Sequence, residues 1–120
     1  DQIECVNRQT LEAVDAFLES HPDGIVMITG DHGPGSTLDA NLELAELSDY
    51  TVQERMKILS AYRVPGCDGS VDNDITPVNG TRLVVRCATG MPLDPLPDRN
   101  FWSDLDGEGY VAEITSMVQG

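Results

Sequence analysis

An aspartate and a histidine, Asp31 and His32, stand side by side in a glycine-rich stretch that also holds Gly30, Gly33 and Gly35. Because a turn frees side chains from the alternation of a strand, the carboxylate and the imidazole can both point into one cleft. A carboxylate oxygen and an imidazole nitrogen suit Zn²⁺ or Mn²⁺, so the two residues are candidate metal ligands. The alternative is an ordinary turn, in which the aspartate accepts backbone N–H groups and the histidine is solvated.

The elements before this pair indicate how it is positioned. Residues 2 to 19 carry apolar side chains at three- and four-residue spacing, which predicts an amphipathic helix. Residues 25 to 29 form a short, largely apolar run, which favours a strand covered on both faces, as in a parallel sheet. Helix, loop and strand together are typical of half a βαβ unit. Ligands of open α/β sheets bind outside the carboxyl ends of strands, where Asp31 and His32 fall.

Beyond the pair, Thr76 and Pro77 predict the start of a helix that ends before Gly90, since threonine caps helices and proline fits their first position. The other predicted elements are a short helix at 51–55, a strand within 56–64, an extended loop at 91–99 and a terminal strand at 110–114. Phe101 and Trp102 are expected to dock against the sheet rather than to contact a substrate.

The three cysteines, Cys5, Cys67 and Cys87, show no C-x-x-C spacing, so they indicate no disulfide framework and no small zinc site. They are either three buried or half-buried thiols, or one disulfide with one thiol left over in an oxidising compartment.

Composition excludes some classes of function. The net charge is −14, and a chain this acidic is repelled by a phosphate backbone, so we expect no nucleic-acid binding. The aliphatic run at 25–28 is far shorter than the ~20 residues that span a bilayer, and no signal peptide is visible. The chain begins with Asp1 rather than Met, which we interpret as the mark of a processed chain or a fragment.

Arg55, Arg82 and Arg86 either reach an anion or pair with local carboxylates.

Four blocks carry a family resemblance, in order and in register, over roughly residues 1 to 103. The stretch from Ile25 to Gly33, with its Asp-His-Gly, resembles the metal-binding strand end of sulfatase-like and alkaline-phosphatase-like hydrolases. The other blocks are similar to one bacterial group of membrane-anchored sulfatase-like proteins. They are Glu54–Tyr62 with Val64-Pro65-Gly66, Ile75–Asn79, and Leu96–Phe101.

The resemblance implies an α/β fold of three layers (αβα) around a mostly parallel sheet, of which residues 1–120 form the carboxyl-terminal, incomplete part. It implies that Asp31 and His32 bind a divalent metal ion (Mn, Zn, Mg or Ca) in an enzyme that hydrolyses or transfers phosphate or sulfate esters. No catalytic residue is assigned, because the C/S-x-P-x-R motif of sulfatases and a Thr or Ser nucleophile on a strand end are both absent. The family's membrane-anchored members place this domain at the extracytoplasmic face of the bacterial membrane.

Two other classes of function stay open. One is a non-catalytic interaction module with a decayed site, which would take up no metal. The other is a self-standing acidic adaptor domain, which would unfold cooperatively on its own, whereas a fragment would expose sheet edges.

Overall fold

The computed structural model describes residues 1–39, 42–67, 71–103 and 111–118. In these ranges the chain forms four α-helices and two separate two-stranded sheets. The elements, in chain order, are helix α1 (Gln2–Ser20), strand β1 (Val26–Thr29), a 3-10 turn (Leu44–Glu46), helix α2 (Asp49–Met56), strand β2 (Ser60–Arg63), helix α3 (Pro77–Thr89), strands β3 (Phe101–Ser103) and β4 (Val111–Glu113), and helix α4 (Thr115–Val118).

The predicted three-layer αβα fold with a mostly parallel sheet is wrong. Strand β1 pairs with β2 in the antiparallel sense, with Val26 opposite Arg63 and Thr29 opposite Ser60. Strands β3 and β4 form a second antiparallel pair that is not joined to the first. The short apolar run of β1 predicts a strand correctly, but such a run does not encode the direction of its partner. Three of the four β1 residues are only half-buried, so β1 is not the covered central strand of a βαβ unit.

Helix α1 confirms the predicted amphipathic helix almost to the residue. The side chain of Asp1 accepts a hydrogen bond from the Ile3 N–H at 3.0 Å, and Glu4 completes a capping box at the amino end. None of its residues is buried, and Ile3 and Leu11 are 68% and 64% exposed. The apolar stripe of α1 is therefore largely uncovered by the described part of the chain.

Helix α3 begins and ends where the sequence predicts. Thr76 caps it, Pro77 occupies its first position, and Gly90 follows its last turn in the left-handed conformation at φ 72°. Gly80, in its first turn, is buried against the ring of Tyr62, and a Cβ at this position would overlap that ring. Helix α3 can approach β2 this closely only because residue 80 has no side chain.

The buried hydrophobic side chains of the described ranges are few: Val52, Leu83 and Ile114. Helices α2 and α4 pack together, and Gln53 Nε2 donates to the Met117 carbonyl oxygen at 3.1 Å. A disulfide joins Cys67, just after β2, to Cys87 in α3, and Cys5 is an exposed free thiol. Of the two interpretations of the cysteines, the structure supports one disulfide with one thiol left over.

Candidate metal and anion site

The turn that carries Asp31 and His32 is fixed at both ends. Before it, the Gly30 N–H donates to the Leu59 carbonyl oxygen at 2.9 Å and extends the β1–β2 pairing. After it, the Gly33 N–H donates to the Arg55 carbonyl oxygen at 2.7 Å, at the end of α2. Gly33 is buried there, and a Cβ would overlap backbone carbonyl oxygens of α2 and of the residue after it. Glycine at position 33 therefore lets the turn rest directly on the end of α2.

A second set of contacts ties the same loop to α2. The Ser36 hydroxyl donates to Oε1 of Glu54 at 2.6 Å, and the Thr37 hydroxyl donates to Oε2 at 3.1 Å. These bonds, the one from Ser36 first, hold the pKa of Glu54 below its usual value by favouring the charged carboxylate. The loop that follows the Asp31–His32 pair is thus held to the helix by backbone and side-chain bonds together.

The two side chains of the pair converge. Nε2 of His32 lies 3.5 Å from Oδ2 of Asp31, while Oδ1 of Asp31 accepts the His32 backbone N–H at 3.1 Å. A tetrahedral zinc ion with bonds of about 2.1 Å separates its ligand atoms by about 3.4 Å, so the two atoms are already spaced as two ligands of one cation. The Asp31 side chain is 88% exposed and the His32 side chain is 50% exposed, which leaves room for further ligands.

The other ring nitrogen of His32 has two neighbours. Nδ1 lies 2.9 Å from the Gly33 carbonyl oxygen and 2.5 Å from Nη1 of Arg55, which also donates to that carbonyl at 3.2 Å. Because a guanidinium can only donate, Nδ1 accepts from Arg55, and the ring proton of a neutral His32 is on Nε2, facing Asp31. A cation on Nε2 requires the ring proton on Nδ1, where the Gly33 carbonyl is placed to accept it, as in many metal-bound histidines. The residues present therefore fit a divalent cation if Arg55 withdraws from Nδ1.

The pair is incomplete as a metal site. Within the described ranges, no group of three or more Cys, His, Asp or Glu side chains is arranged to hold an ion. Protein zinc sites usually have three or four protein ligands. Asp31 and His32 thus supply at most part of a coordination sphere.

The pair lines a cleft of about 440 Å³, within the ~300–1,000 Å³ typical of small-molecule sites. Arg55 and Lys57 line it together with Asp31 and His32, and Asp74 is the other charged residue of its wall. The rest of the lining mixes apolar with uncharged polar residues. The apolar ones are Leu38, Met56, Ile58, Ile75, Pro77, Phe101, Trp102 and Val118, and the polar ones are Ser60, Asn73, Thr76, Asn100 and Ser103. Phe101 and Trp102 were expected to dock against the sheet, but they belong to β3 and line this cleft.

Another wall of the cleft includes Thr76, which is held by an aspartate that sequence reasoning did not single out. Oδ1 of Asp98 accepts from the Thr76 hydroxyl at 2.5 Å, the Thr76 N–H at 3.1 Å and Nδ2 of Asn79 at 2.8 Å. The Thr76 hydroxyl is the main cause of a pKa of Asp98 below its usual value. The buried Asn79 also bonds to both backbone groups of Leu96. In the sequence, the only feature that marks these residues is their position in two of the four blocks that carry the family resemblance.

Of the three arginines singled out in the sequence, only Arg55 reaches the candidate site. It contacts His32 and the Gly33 carbonyl, neither of which is a carboxylate. Nε of Arg82 donates to the backbone oxygen of Asp94 at 2.8 Å, and Arg82 does not line the cleft. A proximity between positions 32 and 55 has no signature in the sequence, because it depends on how the loop docks on α2.

Comparisons of this chain with models of known protein families, with curated proteins and with solved structures find no match. None of the helices in the described ranges combines the length and the apolar character that crossing a bilayer requires.

Proposed function

We propose that Asp31 and His32 bind a divalent cation (Mn, Zn, Mg or Ca) as part of a metal-dependent enzyme that hydrolyses or transfers phosphate or sulfate esters. The observation that supports this most is the 3.5 Å separation of His32 Nε2 and Asp31 Oδ2, which suits two ligands of one ion. The Gly33 carbonyl, 2.9 Å from Nδ1, is placed to orient the imidazole.

The charges of the cleft favour an anionic substrate. Arg55 and Lys57 are two of the seven lysines and arginines in a chain with a net charge of −14, and both line the cleft. They balance Asp31 and Asp74, so a bound divalent cation makes the cleft net positive. Such a site attracts the oxyanion of an ester, and Arg55 can donate two N–H groups to its oxygens.

Each residue has a defined task in this proposal. A divalent cation, when bound, supplies Lewis-acid polarisation of the ester oxygen. Asp31 contributes negative charge that holds the cation, and His32 contributes a neutral nitrogen. Arg55 and Lys57 stabilise the charge on the oxyanion. We assign no nucleophile to this chain, so we expect it to bind but to show negligible turnover alone.

The test is uptake of Zn²⁺ or Mn²⁺ by isothermal calorimetry and equilibrium dialysis. We expect saturable uptake by the chain and its loss in the double variant Asp31→Asn/His32→Gln. The matched control is His21→Gln/Asp23→Asn, which changes the same residue types in the exposed loop before β1 and should keep the uptake. Circular dichroism checks that each variant keeps its helices.

Equal uptake by the chain and the Asp31→Asn/His32→Gln variant would refute the proposal. Absence of uptake by a folded chain would also refute it, and a non-catalytic interaction module with a decayed site would then be the better description.

A further inference from the structure

One part of the cleft lining is a single continuous stretch of chain. It leads into the first position of α3 and consists of Asn73, Asp74, Ile75, Thr76 and Pro77. We call this stretch the 73–77 wall. All of it falls inside the loop that the disulfide between Cys67 and Cys87 closes. The disulfide and the cleft therefore share this part of the chain.

The carboxyl end of the 73–77 wall is held by contacts that do not involve the disulfide. Asp98 accepts hydrogen bonds from both the hydroxyl and the backbone N–H of Thr76. Helix α3 also approaches β2 through the close contact between Gly80 and the ring of Tyr62. These contacts remain when the disulfide opens, so we expect Thr76 and α3 to keep their positions.

The amino end of the wall has weaker support. Among the described residues 71–75 the hydrogen bonds are local. The Asp74 N–H donates to Oδ1 of Asp72 at 3.3 Å, and the Ile75 N–H donates to the carbonyl oxygen of Asp72 at 3.2 Å. The three residues before Ile75 are exposed, and Ile75 itself is half-buried. Little apolar burial therefore opposes a movement of this segment toward solvent.

The disulfide anchors the chain on the amino-terminal side of the wall. The Cα atoms of Cys67 and Cys87 lie 5.5 Å apart, so the chain that leaves β2 is held against α3 before it reaches the wall. Without this bond, conformational entropy favours many other positions for the residues that precede Thr76. The bond therefore restricts the segment that carries Asn73 and Asp74 into the cleft.

From these observations we infer that the thiol redox state of Cys67 and Cys87 controls the cleft: the disulfide assembles the 73–77 wall, and reduction opens it. Both cysteines are half-buried, so a small dithiol can reach them. A thiolate of the dithiol attacks one sulfur, the S–S bond breaks, and the other cysteine leaves as a thiolate. The second thiolate of the dithiol then attacks the mixed disulfide and releases the first cysteine. Two electrons pass to the protein, and the dithiol becomes a cyclic disulfide.

Trp102 reports on the cleft directly, since it is the only tryptophan, is half-buried and lines the same cleft. We expect dithiothreitol to raise the quenching of its fluorescence by acrylamide about twofold, because local opening of the wall exposes the indole. Cys67→Ser/Cys87→Ser should show the higher quenching with and without the reductant. The control Cys5→Ser changes an exposed free thiol and should respond as the parent chain does.

Limited proteolysis locates the opening. Thermolysin cleaves before large apolar residues, and Val71 and Ile75 are such residues in the segment, both half-buried. We expect cleavage before them to be at least about tenfold faster after reduction, with the sites identified by mass spectrometry. Unchanged quenching and unchanged cleavage on reduction would refute the inference. Loss of the helical circular dichroism on reduction would also refute it, because the disulfide would then support the whole fold rather than one wall.

Cation uptake tests what the wall does for binding, and this step rests on the proposed function. Asp74 adds negative charge to the cleft, which favours a cation. Mn²⁺ is the probe, because it prefers oxygen ligands to thiols. We expect its affinity to fall about tenfold on reduction if the wall is in place in about a tenth of the reduced molecules.

The two proposals fail in different ways. Equal Mn²⁺ affinity of the oxidised and reduced chains would refute the redox control alone. Absence of Mn²⁺ uptake in both forms, together with a redox-dependent change in Trp102 quenching, would refute the proposed function alone.

Discussion

Nη1 of Arg55 lies 2.5 Å from Nδ1 of His32, so a guanidinium from α2 contacts the imidazole nitrogen that does not face Asp31. This contact fixes the ring proton on the nitrogen that a metal would use. It also places a permanent positive charge beside the candidate cation site.

Replacement of this arginine should therefore strengthen cation binding. We expect Arg55→Ala to bind Zn²⁺ about tenfold more tightly, because the variant removes both a like charge and a competing donor at Nδ1. Calorimetric titration measures the change. Arg82→Ala removes an arginine that donates to a backbone oxygen outside the cleft and should leave the affinity unaltered. Weaker binding by Arg55→Ala would mean that the arginine orients the imidazole for the metal instead.

Gly33 should tolerate no side chain. We expect Gly33→Ala to lower the free energy of unfolding by about 1–3 kcal/mol, since its methyl group would overlap backbone oxygens at the end of α2. The same displacement of the turn should reduce cation uptake. Gly35→Ala is the control, because a Cβ there meets its nearest neighbour at 3.6 Å, an ordinary contact. Urea denaturation compares the two, and equal stabilities would contradict the close packing described for Gly33.

Asp98 should make stability sensitive to acid. The Thr76 hydroxyl, first among its donors, holds the pKa of Asp98 below its ordinary value in the folded chain. A lowered carboxyl pKa contributes stability that is present above the ordinary value of about 3.9 and is lost as the pH falls through the folded value.

We therefore expect the free energy of unfolding to fall more steeply below about pH 4 in the parent chain than in Asp98→Asn. At pH 7 the variant should be less stable by about 1 kcal/mol, because a charge-accepting hydrogen-bond partner is lost. Urea titrations at several pH values measure both effects. The control Asp94→Asn changes a nearby carboxylate whose contact with Arg82 is made by the backbone oxygen. A variant that keeps the parent's acid dependence would contradict this role of Asp98.

The disulfide between Cys67 and Cys87 closes a loop with a sequence separation of 20. A closed loop of this length reduces the freedom of the unfolded chain, so Cys67→Ser/Cys87→Ser should lower the free energy of unfolding by about 3 kcal/mol. Cys5→Ser changes an exposed free thiol and should have little effect. Thermal or urea unfolding with and without a reductant checks this. Stability that is unchanged by the reductant would contradict the pairing.

Local signals in the sequence predict the local elements well. Thr76, Pro77 and Gly90 specify the two ends of α3 by capping and backbone conformation, and both ends are confirmed. Helix α1 and strands β1 and β2 are also confirmed where their patterns indicate them. Strand β4 is described from Val111, and Tyr110, which begins the predicted terminal strand, lies outside the described residues.

Long-range relationships are where sequence reasoning fails. The direction in which β2 runs beside β1 depends on how the intervening chain packs. The apolar run at 25–28 does not determine this direction. The pairing of Cys67 with Cys87 also depends on tertiary packing, because their spacing matches no recognised motif. At the candidate site, adjacency brings Asp31 and His32 together in any turn, so the sequence predicts that pair. The approach of Arg55 and the wall formed by Trp102 depend on tertiary packing, so the sequence does not predict them.

The uncovered apolar stripe of α1 has a consequence for behaviour in solution. The net charge of −14 makes copies of the chain repel one another, whereas the exposed hydrocarbon of Ile3 and Leu11 gains stability when it leaves water. Salt weakens the charge repulsion between copies, since it screens a charge beyond about 10 Å at 0.1 M. It does not weaken the hydrophobic attraction between exposed apolar side chains. The colloidal stability of this chain should consequently decline with rising ionic strength.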